Sequence, residues 1–120
     1  MKTKTTEFQS ELLKRTFDFS TDLITILARL PRNSVNEILV KQGIRSGTSI
    51  GANYREACEA ESGKDFVHKL GISKKECRET EYWLELLIRI NSEFSKDLSK
   101  LLIEVMEFTK IFSSIIKKFK

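Results

Sequence analysis

The sequence holds one proline, five glycines, two cysteines and one histidine in 120 residues. So few turn-forming residues exclude an all-β domain, which needs many short connections. Two cysteines are too few for a disulfide scaffold and fit a reducing compartment. The single histidine, His68, sits in Asp65-x-x-His68. A ferritin-like di-metal site needs two such motifs plus further carboxylates, so that site is excluded. A Ser/His/Asp or Cys/His nucleophile system finds no support either, because no nucleophile elbow or glycine loop accompanies the histidine. Strictly apolar runs reach only three residues, as at Leu86-Leu87-Ile88, and nothing reads as a membrane span. The opening Met1-Lys2-Thr3-Lys4 has no apolar core and does not read as a secretory signal. The expectation is a cytoplasmic protein without catalytic residues, metal or cofactor.

What is present is a globular composition, with 40% hydrophobic and 32% charged residues and a net charge of +4. That excludes a disordered tail and predicts one domain over residues 1–120. The mild positive charge permits nucleic-acid binding without demanding it. Pro31 splits the first half of the chain. Before it, Phe8, Leu12, Phe19, Leu23, Ile26 and Leu30 recur at helical spacing. Ser34 is the expected N-cap of a second helix running to about residue 60, and Ser62 that of a third, running to about residue 90. Asn91-Ser92 then breaks the pattern, and Ser95 is the expected cap of a fourth helix, to about residue 118. Three short linkers predict an all-α, antiparallel up-down-up-down four-helix bundle, with helices of about 37 Å.

The third helix has a seam of Phe66, Leu70, Ser73, Cys77, Thr80, Leu84 and Leu87, spaced four and three in alternation. Its middle is small, and so is that of the second helix, where Gly43, Gly47 and Gly51 lie four apart. A hairpin turning near Ser62 sets Cys77 level with Thr48 and Thr80 near Arg45. Small then faces small, and the glycines are expected to let helices two and three approach closely. Cys58 and Cys77 fall about 15 Å apart along the same hairpin, beyond the ~7 Å reach of a disulfide.

The apolar surface exceeds what one bundle needs. The fourth helix has one seam through Leu98, Leu102, Val105, Thr109, Phe112, Ile116 and Phe119, and a second stripe of Leu101, Phe108, Ile111 and Ile115. Leu13, Phe17 and Ile24 lie off the seam of the first helix, and Ile72, Trp83, Leu86 and Ile90 off that of the third. These second stripes are assigned to contacts between subunits, because contiguous apolar patches on soluble proteins mark interfaces; the competing reading is a fat four-helix core with a few exposed apolar residues.

Polar residues gather around the central hairpin. Arg45 and Glu79 fall at one level and predict an inter-helix ion pair. Gln42, Ser46, Ser49 and Asn53 form a ladder on the second helix, and Asn53 is expected to hydrogen-bond across helices or subunits and fix register. A stripe of Lys64, Lys75, Arg78, Tyr82 and Arg89, with Lys74 beside it, is the candidate nucleic-acid surface. Cations with an interleaved aromatic suit phosphate contacts and base stacking. Glu81 and Glu85 flank this stripe, so a solvated face with helical charge pairs is the competing reading. Lys2, Lys4, Lys117, Lys118 and Lys120 make both ends of the chain basic.

Residues 44–57, IRSGTSIGANYREA, are followed by Asp65-Phe66, Lys69, Lys75-Glu76, Glu79-Thr80 and Tyr82-Trp83-Leu84. This pattern resembles the four-helix-bundle family named after the 23S rRNA intervening-sequence protein, over roughly residues 8–116. The resemblance implies a bacterial homo-oligomer, a ring-like homopentamer, and supplies no catalytic residues. A related branch, which includes the accessory variability determinant of diversity-generating retroelements, is strongly basic and binds nucleic acid. Arg45, Ser49, Asn53, Glu56, Glu76 and Glu79 fall on the family's polar motif positions, read here as structural or assembly positions. This chain departs from the basic branch, since residues 45–85 carry seven basic and eight acidic residues. Two functions follow as expectations: a non-catalytic oligomer that binds RNA or DNA, or an assembly scaffold whose client is a protein.

Overall fold

Four helices occupy nearly all of the structure, a computed structural model that describes residues 6–119. Lys2, Lys4 and Lys120 lie outside the described residues. Helix α1 spans Glu7–Leu27 and opens on a capping box. There the Thr6 hydroxyl accepts from the Gln9 amide at 3.1 Å and the Gln9 side chain accepts from the Thr6 amide at 3.0 Å, satisfying two donors the helix start leaves free. The helix ends three residues before Leu30, and Pro31 lies in the turn that follows. Helix α2 spans Ser34–Cys58, and its N-cap is Asn33, one residue earlier than expected: the Asn33 side chain accepts from the Asn36 amide at 2.8 Å.

Helix α3 spans Gly63–Ile90 with Ser62 as its N-cap, as its sequence predicts. Helix α4 spans Ser95–Lys117. Ser95 does not cap it. A single 3-10 turn, Ser92–Phe94, carries the chain straight into α4, and no side chain caps that end.

Each helix packs on two neighbours, α1 on α2, α2 on α3, α3 on α4 and α4 back on α1, in an antiparallel up-down-up-down bundle of 49 × 23 × 21 Å. The core is built from Leu12, Phe19, Leu23 and Leu27 of α1, Ile50 and Tyr54 of α2, Leu70, Leu84 and Leu87 of α3, and Leu98, Leu101, Val105, Phe108 and Phe112 of α4. Phe19 meets Phe108 edge-on at 5.7 Å, and Tyr54 lies against Phe112 at 5.6 Å.

Two expectations change here. Leu101 and Phe108, assigned to a subunit interface, are buried core residues. The true seam of α4 is Leu98, Leu101, Val105, Phe108, Phe112, which alternates three and four; Leu102, Thr109 and Ile116 flank it. The glycines also face the other way. A Cβ on Gly47 would fall on the Leu23 side chain of α1, and one on Gly51 would come within 3.1 Å of Thr16 Oγ1. No described glycine has positive φ, so close approach of α1, and not backbone freedom, is what these positions require. Small residues still join α2 to α3, but they are hydroxyl residues. The Ser46 and Thr80 hydroxyls lie 2.8 Å apart, and Ser73 donates to the Ile50 carbonyl at 3.0 Å. That register sets Thr80 within one residue of the Arg45 level the hairpin predicts.

Candidate nucleic-acid interface

Helix α3 lies between α2 and α4, so only a strip along its outer side is free. Lys64, Lys75, Arg78, Tyr82 and Arg89 are exposed on that strip, and Lys74 beside it is half-buried. The same helix carries several carboxylates, and most are drawn off the strip. Arg45 donates to Glu79 at 2.7 Å and lies 3.8 Å from Glu76, the inter-helix pair expected from the hairpin register. Glu81 accepts from the Thr109 hydroxyl of α4 at 2.6 Å and lies 3.8 Å from Arg78 Nε. Glu56 of α2 is paired with Lys69 at 3.0 Å. Lys64, Lys74, Lys75 and Arg89 make no ion pair among the described residues, whereas Glu85 stays exposed near them.

Of the polar motif residues, Arg45, Glu56, Glu76 and Glu79 join α2 to α3, whereas Ser49 and Asn53 bond within α2. Ser49 donates to the Arg45 carbonyl at 2.7 Å, and Asn53 donates to the Ser49 carbonyl at 2.9 Å. Within the chain Asn53 therefore bonds along its own helix and not across to another helix, the first of the two expected partners, because it sits half-buried on the rim and not in the core. The Glu76 carboxyl titrates above the ordinary carboxylate range: burial penalises its charge and Glu79 repels it, while Arg45 and Lys75 pull the other way. One Glu76 oxygen and the Trp83 indole nitrogen are buried without a hydrogen-bond partner among the described residues.

The remaining residues assigned to subunit contacts divide into two sets. Phe17, Ile24 and Ile90 are 60%, 45% and 49% exposed. Leu13, Ile72, Trp83, Leu86, Ile111 and Ile115 are half-buried, and Leu13, Ile111 and Ile115 among them also pack on the core. Phe17 and Leu13 wall a groove of about 510 Å³ between α1 and α2, floored by Thr16, Ser20, Thr48, Gly51 and Ala52. Val35, Ile38, Ile103 and Met106 add exposed apolar surface that no sequence stripe marked.

The buried polar link that periodicity overlooked is Asn36 with Asn91. Their side-chain amides exchange two hydrogen bonds, at 2.9 and 3.0 Å, and also donate to the Pro31 and Leu87 carbonyls. A signal for it existed: Asn36, Gly43, Ile50 and Ala57 are seven apart, so Asn36 lies on the core face. Arg15 was missed as well; it joins α1 to α4 through Glu104 at 2.7 Å and stands over the Phe108 ring at 5.0 Å. Both cysteines are free thiols, and burial pushes Cys77 up to about 12. His68 is exposed, and no three His, Cys, Asp or Glu side chains are grouped to share a metal ion among the described residues. No described helix is long and apolar enough to cross a membrane.

This architecture matches known proteins over most of its length. No curated protein matches the sequence. Among solved structures, a protein of unknown function from the S23 ribosomal protein family of Bacteroides thetaiotaomicron is 40% identical, covers 88% of this chain and 97% of its own, and superposes with a TM-score of 0.80. Residues 9–114 match the family described as 23S rRNA-intervening sequence protein, so the chain belongs to that family.

Proposed function

We propose that the chain acts without catalysis, as a homo-oligomer whose repeated α3 strips bind RNA or DNA weakly and with little sequence preference. The observation that carries this reading is where the acids go. By sequence count, residues 45–85 are slightly acidic. In the fold, Glu76 and Glu79 turn to Arg45, Glu81 turns to Thr109 and Glu56 turns to Lys69, leaving Lys64, Lys75 and Arg89 unpaired on one side of α3. A strip of unpaired cations attracts phosphates and releases their counterions, so affinity falls as salt rises. One copy offers few contacts, and repeating the strip raises avidity without new chemistry. The exposed Phe17, Ile24 and Ile90 support self-association, and the number five comes from the family resemblance.

The test is a fluorescence-anisotropy titration of ribosomal RNA fragments at about 50 mM salt and upward. Binding that weakens steeply with salt, and that is lost in a Lys75→Glu, Arg78→Glu, Arg89→Glu variant of unchanged oligomeric mass, supports the reading. Light scattering that gives a 13.9 kDa monomer at micromolar concentration removes the oligomer. The apolar groove between α1 and α2 favours a second reading, a scaffold whose client is a protein. No binding at low salt, together with a protein recovered on the assembled oligomer, selects that one.

A further inference from the structure

We propose that Tyr82 is a stacking platform for an unpaired base, so that the α3 strip selects single-stranded over duplex nucleic acid. This rests on the nucleic-acid reading above and adds the form of the ligand to it.

Lys75, Tyr82 and Arg89 are seven residues apart along one uninterrupted helix. Seven residues are about two turns, with a drift of only ~20°, so the three side chains stand nearly in line. At 1.5 Å per residue the Tyr82 Cα lies about 10.5 Å along the helix axis from the Cα atoms of Lys75 and Arg89. A strand whose phosphates lie on Lys75 and Arg89 passes over Tyr82 between them.

The Tyr82 ring is placed for that contact. It is 59% exposed, although an aromatic ring on a helix surface can fold down onto apolar neighbours. Here its orientation is set by Trp83, whose ring lies 5.2 Å away at an interplanar angle of 73°. In an edge-to-face pair, one ring presents its edge to the face of the other. Whichever ring does so, at least one face of Tyr82 remains uncovered. Trp83 itself is half-buried against α2, where its Cβ lies close to Gly43, so the ring bracing Tyr82 is anchored.

The charge around Tyr82 agrees with an anionic chain crossing it. Glu79, one turn earlier, is held by Arg45, and Glu81 is held by Thr109 on the opposite side of α3. Only Glu85 remains as an exposed carboxylate within a turn of the ring.

The geometry favours a single strand. In a duplex each base face is covered by its stacked neighbours, and a tyrosine standing between two phosphate contacts meets only sugar and backbone. In a single strand the base faces are free, and stacking on an aromatic is tolerant of sequence. Both flanks of α3 are closed by α2 and α4, so the strip meets a ligand along one helix face only.

Anisotropy titrations of labelled oligonucleotides about 12 nucleotides long, single-stranded and duplex, test this on the assembled protein. Tyr82→Ala and Tyr82→Phe are measured beside the parent at several salt concentrations, with melting temperature and oligomeric mass as controls. The expected result is a preference for the single strand that Tyr82→Phe keeps. Tyr82→Ala should weaken single-strand binding roughly 5- to 150-fold, leave duplex binding alone and leave the salt slope unchanged, because the phosphate contacts remain. In the parent, Trp83 emission should change on single-strand binding. Equal affinity of Tyr82→Ala and parent for the single strand, or a parent that holds duplex as tightly, overturns the stacking role while leaving the basic strip standing. A parent that binds neither form at about 50 mM salt overturns both.

Discussion

On its α1 side, helix α2 makes contact through glycines; on its α3 side, through hydroxyls and amides. Gly43, Gly47 and Gly51 leave room for Leu27, Leu23 and Thr16, so α1 settles onto bare backbone with no directional bond between the two helices at these positions. Across the bundle, Ser46 meets Thr80, Ser73 meets the Ile50 carbonyl, and Asn36 meets Asn91. Both seams bring backbones close, by different means. Steric fit tolerates sliding along the seam better than paired polar groups do, because a buried donor shifted off its acceptor costs its full desolvation. The polar seam therefore sets the register of α2 on α3. That register in turn brings Arg45 to Glu76 and Glu79 and leaves the α3 cations unpaired.

The largest effect should come from breaking the glycine seam. Gly47→Leu forces α1 away from α2, since a Cβ there already meets Leu23, which is fully buried. Overpacking of this kind costs about 1–3 kcal/mol and sometimes more. Chemical denaturation should show that loss, and an unchanged midpoint would mean Leu23 has another rotamer to use. A change on the polar seam acts differently, by stranding a buried group, and lacks the tail above ~3 kcal/mol that overpacking can reach. Asn91→Leu leaves the buried Asn36 side-chain oxygen without its donor, while the Asn36 amide keeps the Pro31 carbonyl, for about 1–3 kcal/mol. The double variant with Asn36→Leu should recover part of that loss, which a simple sum of two independent truncations would not. Thr80→Val is milder, about 0.5–1.5 kcal/mol, because it removes one hydroxyl and keeps the shape. Equal losses for Thr80→Val and Asn91→Leu would erase the distinction between removing one hydroxyl and stranding a buried amide oxygen.

These seams were unequally legible in the sequence. Helix periodicity placed the four helices, the α3 seam and the hairpin register, because each rests on spacing within a segment and on one short turn. It marked Gly43, Gly47 and Gly51 as a close-contact face and assigned them the wrong neighbour. Spacing shows that a face is small; which helix covers it depends on rotation about the α2 axis, and both neighbours are one short loop away. The same limit moved Leu101 and Phe108. On α4 two adjacent apolar stripes fit a helical wheel equally well, and only packing against Phe19 of α1 selects the one with Phe108. The candidate surface was half legible. Lys75, Arg78, Tyr82 and Arg89 lie in phase along one face, yet a charge count cannot reveal that Glu81 bonds to Thr109, 28 residues away.

The smallest effect sharpens the comparison most, because its sign is in question. Glu76 sits at the outer edge of the polar seam with one oxygen buried and unpartnered, 3.8 Å from Arg45. Burial and Glu79 raise its pKa above the unfolded value, against the pull of Arg45 and Lys75. A carboxyl with a raised folded pKa favours the fold while it is protonated. Its contribution is complete below the unfolded pKa and is lost as pH rises through the folded one. At neutral pH the charged Glu76 should therefore weaken the seam slightly. Glu76→Gln removes that charge, keeps the shape and can donate to Glu79. The variant should match the parent near pH 4 and exceed it at pH 7.5, read as a gap between urea midpoints that widens with pH. A variant less stable than the parent at pH 7.5 would mean that the attraction of Arg45 outweighs burial. In that case the outer edge of the seam is held by an ion pair and not merely bordered by one.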